Sequence, residues 1–80
     1  MVRIKAIFKA NCGPGARYVS HSIAERDGLK CLLLRFQMVP EGRLFDLDHA
    51  FREYNDDGIE RGVLKVAAIA RDVREHIKVN

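Results

Sequence analysis

Residues 16–39 read Ala-Arg-Tyr-Val-Ser-His-Ser-Ile-Ala-Glu-Arg-Asp-Gly-Leu-Lys-Cys-Leu-Leu-Leu-Arg-Phe-Gln-Met-Val, and their reading decides the fold. Asp27-Gly28 at the centre is a strong short-range hairpin signal when strands flank it. On its C-terminal side, Leu32, Leu34, Phe36 and Met38 fall on one face of a strand over 29–39. The N-terminal side, 16–26, is open to two readings. Val19 and Ile23 are four apart, as in a helix of a βαβ-like unit. Yet Tyr, Val, Ser, His, Ser and Ile in a row are mediocre helix formers. Folding the segment about Asp27-Gly28 favours the hairpin. Glu25 then faces Lys30, Ile23 faces Leu32, His21 faces Leu34 and Val19 faces Phe36 on one side. Ala24 faces Cys31, Ser22 faces Leu33, Ser20 faces Arg35 and Tyr18 faces Gln37 on the other.

Upstream, residues 2–9 alternate. Val2, Ile4, Ala6 and Phe8 share one side, and Arg3, Lys5 and Lys9 the other, with Ile7 the exception. This predicts a first strand, ended by Asn11-Cys12-Gly13-Pro14-Gly15. Downstream, Pro40-Glu41-Gly42 ends the sheet. Asp46 suits an N-cap, and Leu47, Ala50, Phe51 and Tyr54 recur at helical spacing, which predicts a short helix. Asn55-Asp56-Asp57-Gly58 then makes an interhelical turn. Ile59, Val63, Val66, Ala67, Ala70, Val73 and Ile77 draw the apolar stripe of a long helix over about 59–78. His76 and Lys78 in its last turn suit the negative end of the helix dipole. The expectation is an α+β fold of order βββαα: a three-stranded antiparallel sheet, middle strand 16–26, with two helices packed on one face. The helices should cover Val2, Ile4, Ala6, Phe8, Val19, Ile23, Leu32, Leu34 and Phe36.

At 80 residues the chain is long enough for a single domain, 1–80, with a small core. Aromatic residues make up 8% with no Trp, which excludes a platform of several stacked rings. Cys12 and Cys31 are too few for a disulfide scaffold and read as reduced thiols of a cytoplasmic protein. The opening Met-Val-Arg-Ile-Lys lacks the apolar run of a signal peptide, and no stretch is apolar enough to span a bilayer.

Three motifs invite chemistry. Cys12-Gly-Pro-Gly-Ala-Arg17 is reminiscent of the phosphate loop of cysteine phosphatases, but has four residues between Cys and Arg where that loop has five. It reads better as a loop cysteine beside a tight turn. Glu53, Asn55, Asp57 and Gly58 superficially suit a calcium loop, but Leu64 stands where the bidentate Glu belongs. Cys12, Cys31, His21, His49 and His76 show no metal-ligand spacing, and no cofactor is implied. His21, opposite Leu34, reads as a partly buried core histidine, and His49 as a solvated one.

Charge is the stronger signal. The formal net charge is only +3, but it is unevenly laid out. In the three-strand reading one sheet face carries Arg3, Lys5, Lys9 and Arg35 beside Tyr18, Gln37, Ser20 and Ser22, with no carboxylate. The acids concentrate over 41–60. Cations that neutralise phosphates, with polar side chains between them, point to a non-enzymatic nucleic-acid-binding module. Its site is Arg3, Lys5, Lys9, Tyr18, Arg35 and Gln37. The bland account is that small domains place charges on strands for solubility. The alternative function is a small protein–protein interaction or inhibitor domain, of the kind phages and mobile elements encode. Its contact patch is Ile7, Leu33 and Tyr18, or else the helix pair.

Overall fold

The computed structural model describes residues 2–79, with side chains over 2–73. The elements run α1 (Ile4–Asn11), β1 (Ala16–Arg26), β2 (Leu29–Met38), β3 (Leu44–Ala50) and α2 (Asp56–Val79). The fold is α+β, with three antiparallel strands in the order β1-β2-β3 and two helices. The expected numbers of strands and helices are right, but two assignments are exchanged.

Residues 2–9 form no strand. Ile7, the exception to the alternation, is the reason. As a helix, Ile4, Ile7 and Phe8 share one face and meet the core together. A strand would turn Ile7 to water and bury Ala6; in the structure Ala6 is exposed. Cys12 caps α1, its N–H bonded to the Phe8 carbonyl at 2.9 Å. Gly13 follows at φ 80°, the left-handed conformation that commonly ends a helix.

Residues 46–54 form no helix. Phe45, Leu47 and His49 alternate with Asp46 and Asp48, and β3 turns the first set to the core. Asp46 is therefore a strand residue facing Arg35, not a cap. The cap belongs to Asn55, whose side-chain oxygen accepts the Gly58 N–H at 2.8 Å, and Asp56 and Asp57 lie at the positive end of α2. A Cβ on Gly58 would collide with the Glu53 carbonyl oxygen, so this entry into α2 requires glycine.

The hairpin forms as read. Asp27 and Gly28 have φ of 52° and 80°, the paired positive values of a tight type I′ turn. From Arg26↔Leu29 to Ser20↔Arg35 the pairs match the expected register. Beyond that, a β-bulge at Val19 shifts the strand by one residue, so Tyr18 faces Phe36 and Arg17 faces Gln37. Tyr18 thereby packs against the core, while Val19 is 42% exposed.

The middle strand is β2 rather than 16–26. Leu32, Leu34, Phe36 and Met38 are buried on its inner face, under Phe8 of α1 and Val63, Val66, Ala67 and Ala70 of α2. Ile59 and Val73 flank this stripe. The expected stripe residue Ile77, with His76 and Lys78, falls outside the residues whose side chains are described. Cys12 and Cys31 are free and buried. Cys12 bonds the carbonyl of Ala16, and Cys31 pairs with Ala24, some eight residues along β1. A separation of roughly 25 Å follows from the strand rise and forbids a bridge.

His49 is half-buried between β3 and α2, its ring against Phe51 at 5.5 Å and close to Gly62. It is not the solvated residue of the sequence reading.

Ala70→Asp places an unpaired charge in the core and unfolds a domain whose stability is about 4–12 kcal/mol at this length. Arg71 is exposed, lying over Gly13 with a long 3.4 Å bond to the Asn11 carbonyl. Arg71→Ala should cost only about 0.5 kcal/mol; thermal melts that fall equally for both variants contradict the packing. Burial, reinforced by Lys65, pulls the His49 imidazole below its ordinary value of 6.5. The unfolded chain therefore binds the proton more readily. The stability from His49 is complete above the unfolded value and declines as pH falls through the lower folded one. Urea midpoints measured from pH 7.5 down to 5 should drop more steeply in the native chain than in His49→Gln.

Candidate nucleic-acid interface

The structure divides the expected site between two surfaces. Arg3, the residue that caps the start of α1, comes together with Lys5 and Lys9 of the helix. Their grouping follows from the helix: with Ile4, Ile7 and Phe8 inward, Lys5, Ala6 and Lys9 face outward. Lys5 and Lys9 are one turn apart on the same side, about 6 Å along the axis. Among the described residues none of these three cations forms an ion pair. Lys9 also sits in the last turn, where a cation favours the helix dipole.

Tyr18 joins this group from beneath. The bulge at Val19 turns its ring inward, 6.4 Å from Phe8, and the Lys5 ammonium lies 5.4 Å from the Tyr18 ring centre. That is cation–π distance. The Tyr18 hydroxyl and His21 Nδ1 are 2.7 Å apart. With the hydroxyl donating, the ring proton sits on Nε2. His21 is exposed on the helix side of the sheet, rather than partly buried in the core as the sequence suggests. Val2, Arg3, Ile4, Lys5, Ala6, Lys9 and His21 line a hollow of about 490 Å³ between α1 and β1.

Arg35 and Gln37 belong to the opposite, uncovered face of the sheet. The expected carboxylate-free face is not there, because β3 brings Asp46 and Asp48 onto it. Arg35 holds Asp46 by two bonds, Nε to Oδ1 at 2.7 Å and Nη2 to Oδ2 at 3.1 Å. Arg26 reaches diagonally across β2 to Asp48 at 3.1 Å. Ser20, Ser22 and Leu33 lie between these pairs in a shallow depression of about 620 Å³. Gln37 is also engaged, its amide donating to the Gly42 carbonyl at 3.0 Å in the β2–β3 turn. The alternative contact patch is likewise divided. Ile7 and Tyr18 pack against the core, and Leu33 lies on the uncovered face.

Cys12 has no nucleophile's setting. It lies at the C-terminal end of α1, where the dipole disfavours a thiolate, and a strand rather than a helix follows its loop. Burial pushes the thiol up from its ordinary value. Among the described residues no three His, Cys, Asp or Glu side chains converge as a metal site. No described helix is long and apolar enough to cross a membrane. The chain matches no protein-family model, and no curated protein or solved structure resembles it significantly.

Sequence reasoning missed His21 as a member of the α1 surface. No local signal gives it, because its neighbours Lys5 and Lys9 reach it only when 4–11 is helical.

The Arg35–Asp46 pair makes a direct prediction. The bond from Arg35 holds the Asp46 carboxyl below the usual aspartate range. An NMR titration of the Asp46 side chain should give a depressed midpoint that Arg35→Ala returns to normal. An ordinary midpoint in the native chain contradicts the bidentate pair.

Proposed function

We propose that the chain is a non-enzymatic nucleic-acid-binding module whose contact surface is α1 rather than the sheet. One observation supports this most. From Val2 to Ala24 the cations are Arg3, Lys5, Lys9 and Arg17, with no carboxylate among them, and α1 gathers the first three on an exposed surface. Free cations at this density release counterions when they meet a phosphate backbone. Arg35 contributes little, because Asp46 already neutralises it. Two buried cysteines that lie too far apart to bridge suit a cytoplasmic protein.

A protein-interaction or inhibitor role is the second reading. It is favoured by β1, an eleven-residue strand at the border of the sheet, with no strand paired to its outer edge among the described residues. Such an edge accepts a strand from a partner.

Fluorescence anisotropy with labelled DNA and RNA at two salt concentrations separates these readings. The native chain should bind at low salt and weaken as salt rises. Lys5→Gln with Lys9→Gln should reduce the salt slope by about two units, roughly one per lost phosphate contact, at unchanged far-UV circular dichroism. Arg35→Ala should leave binding intact. No binding at low salt, or equal losses from Arg35→Ala and the lysine double variant, refutes the assignment to α1.

A further inference from the structure

We infer that the hollow between α1 and β1 seats one unstacked base, so that this interface takes single-stranded nucleic acid in preference to duplex. The inference rests on the nucleic-acid reading above and narrows its ligand.

The hollow has two kinds of lining. Val2, Ile4 and Ala6 supply apolar wall, and Arg3, Lys5 and Lys9 supply positive charge at its margin. A surface that held only phosphates would gain nothing from apolar wall, and a duplex, with its bases stacked inside, could not use it. A single strand has both chemistries within one nucleotide: an anionic backbone and a flat ring that prefers to leave water. Unpaired bases can be splayed out and packed on side chains, whereas paired bases must first be unstacked. Lys5 and Lys9, one turn apart, lie where they can hold the backbone on either side of the nucleotide whose base enters.

His21 completes the site from β1. Its Nδ1 is engaged with the Tyr18 hydroxyl, which fixes the ring. The imidazole then gives a flat surface for the base to stack on. Tyr18 is in turn held by Phe8 and capped by Lys5. The hollow is also roomy enough, at about 490 Å³, for a ring with its sugar.

The test compares three labelled twelve-residue probes by anisotropy in one low-salt buffer: oligothymidylate, an abasic sugar-phosphate strand of equal charge, and a duplex. The native chain should bind oligothymidylate about tenfold more tightly than the abasic strand, within the range stacking of one base gives. Ala6→Leu narrows the hollow without removing a charge, and Ala6 is exposed, so the helix tolerates it. It should bring oligothymidylate down to the abasic level and leave abasic binding unchanged. His21→Ala should do the same. Equal affinity for oligothymidylate and the abasic strand overturns the inference, as does tighter binding of duplex. So does displacement of oligothymidylate by polyglutamate as effective as that by unlabelled oligothymidylate at matched charge, which would mark a purely electrostatic surface. In those outcomes salt-dependent binding to nucleic acid still upholds the broader function. Absence of binding to every probe removes both.

Discussion

Everything in this molecule is arranged around the inner face of β2. Leu32, Leu34, Phe36 and Met38 occupy alternate positions on the central strand and are fully or almost fully buried. At about 1.5–3 kcal/mol per side chain, these four contribute roughly 6–12 kcal/mol, as much as the whole net stability expected at this length. A slip of one residue would replace them with Leu33, Arg35, Gln37 and Val39. The Asp27-Gly28 turn prevents that slip by fixing which residue of β1 lies opposite each residue of β2. With the register set, β3 has a defined edge to join, and α1 and α2 have a defined apolar floor on which to settle.

The same strand explains what the sequence made legible. The hairpin and α2 were readable because their signals are local: a turn dipeptide with matching flanks, and a long apolar stripe at helical spacing. The exchange of α1 and β3 has a common cause. Segments of about eight residues satisfy both periods, and only their partners arbitrate. Residues 2–9 place Ile4 and Phe8 correctly in either reading, and Ile7 alone discriminates. Residues 44–50 place Leu47 inward as strand or helix, while Phe45 and His49 fit only the strand. One non-local clue was available in composition. The Cys-Leu-Leu-Leu run of 31–34 is apolar on both faces, as a central strand is, and Ser20, His21 and Ser22 are polar, as an edge strand is. A central β2 needs a neighbour on each side. With 16–26 on one side, the second can come only from 2–9 or from 44–50.

The candidate site depends on the irregularities more than on the regular parts. Regular pairing through the whole hairpin would put Val19 inward against Phe36 and Tyr18 on the uncovered face. The bulge reverses both. It brings an aromatic ring and its hydroxyl under α1, where Lys5 and His21 engage them. A bulge is hard to read from sequence because the residue left unpaired, here Val19, has the composition of an ordinary strand residue. Its consequence is visible in the mismatch between an exposed valine and an inward tyrosine one position earlier.

Charge then follows topology. With 44–50 taken as a helix, Asp46 and Asp48 lie away from the sheet face and Arg35 looks free. As β3, the same two aspartates stand beside β2 and engage Arg35 and Arg26 in pairs exposed to water, worth little to stability. They neutralise Arg35 and Arg26 on the uncovered face, whereas Arg3, Lys5 and Lys9 form no ion pair among the described residues. Around these three, α1 packs on α2 and β1, the segment Val2–Ala24 contains no acid, and acidic β3 lies on the far side of β2. The order of three strands thus decides which cations are met by a carboxylate: Arg35 and Arg26 lie within reach of acidic β3, while Arg3, Lys5 and Lys9 lie beside β1.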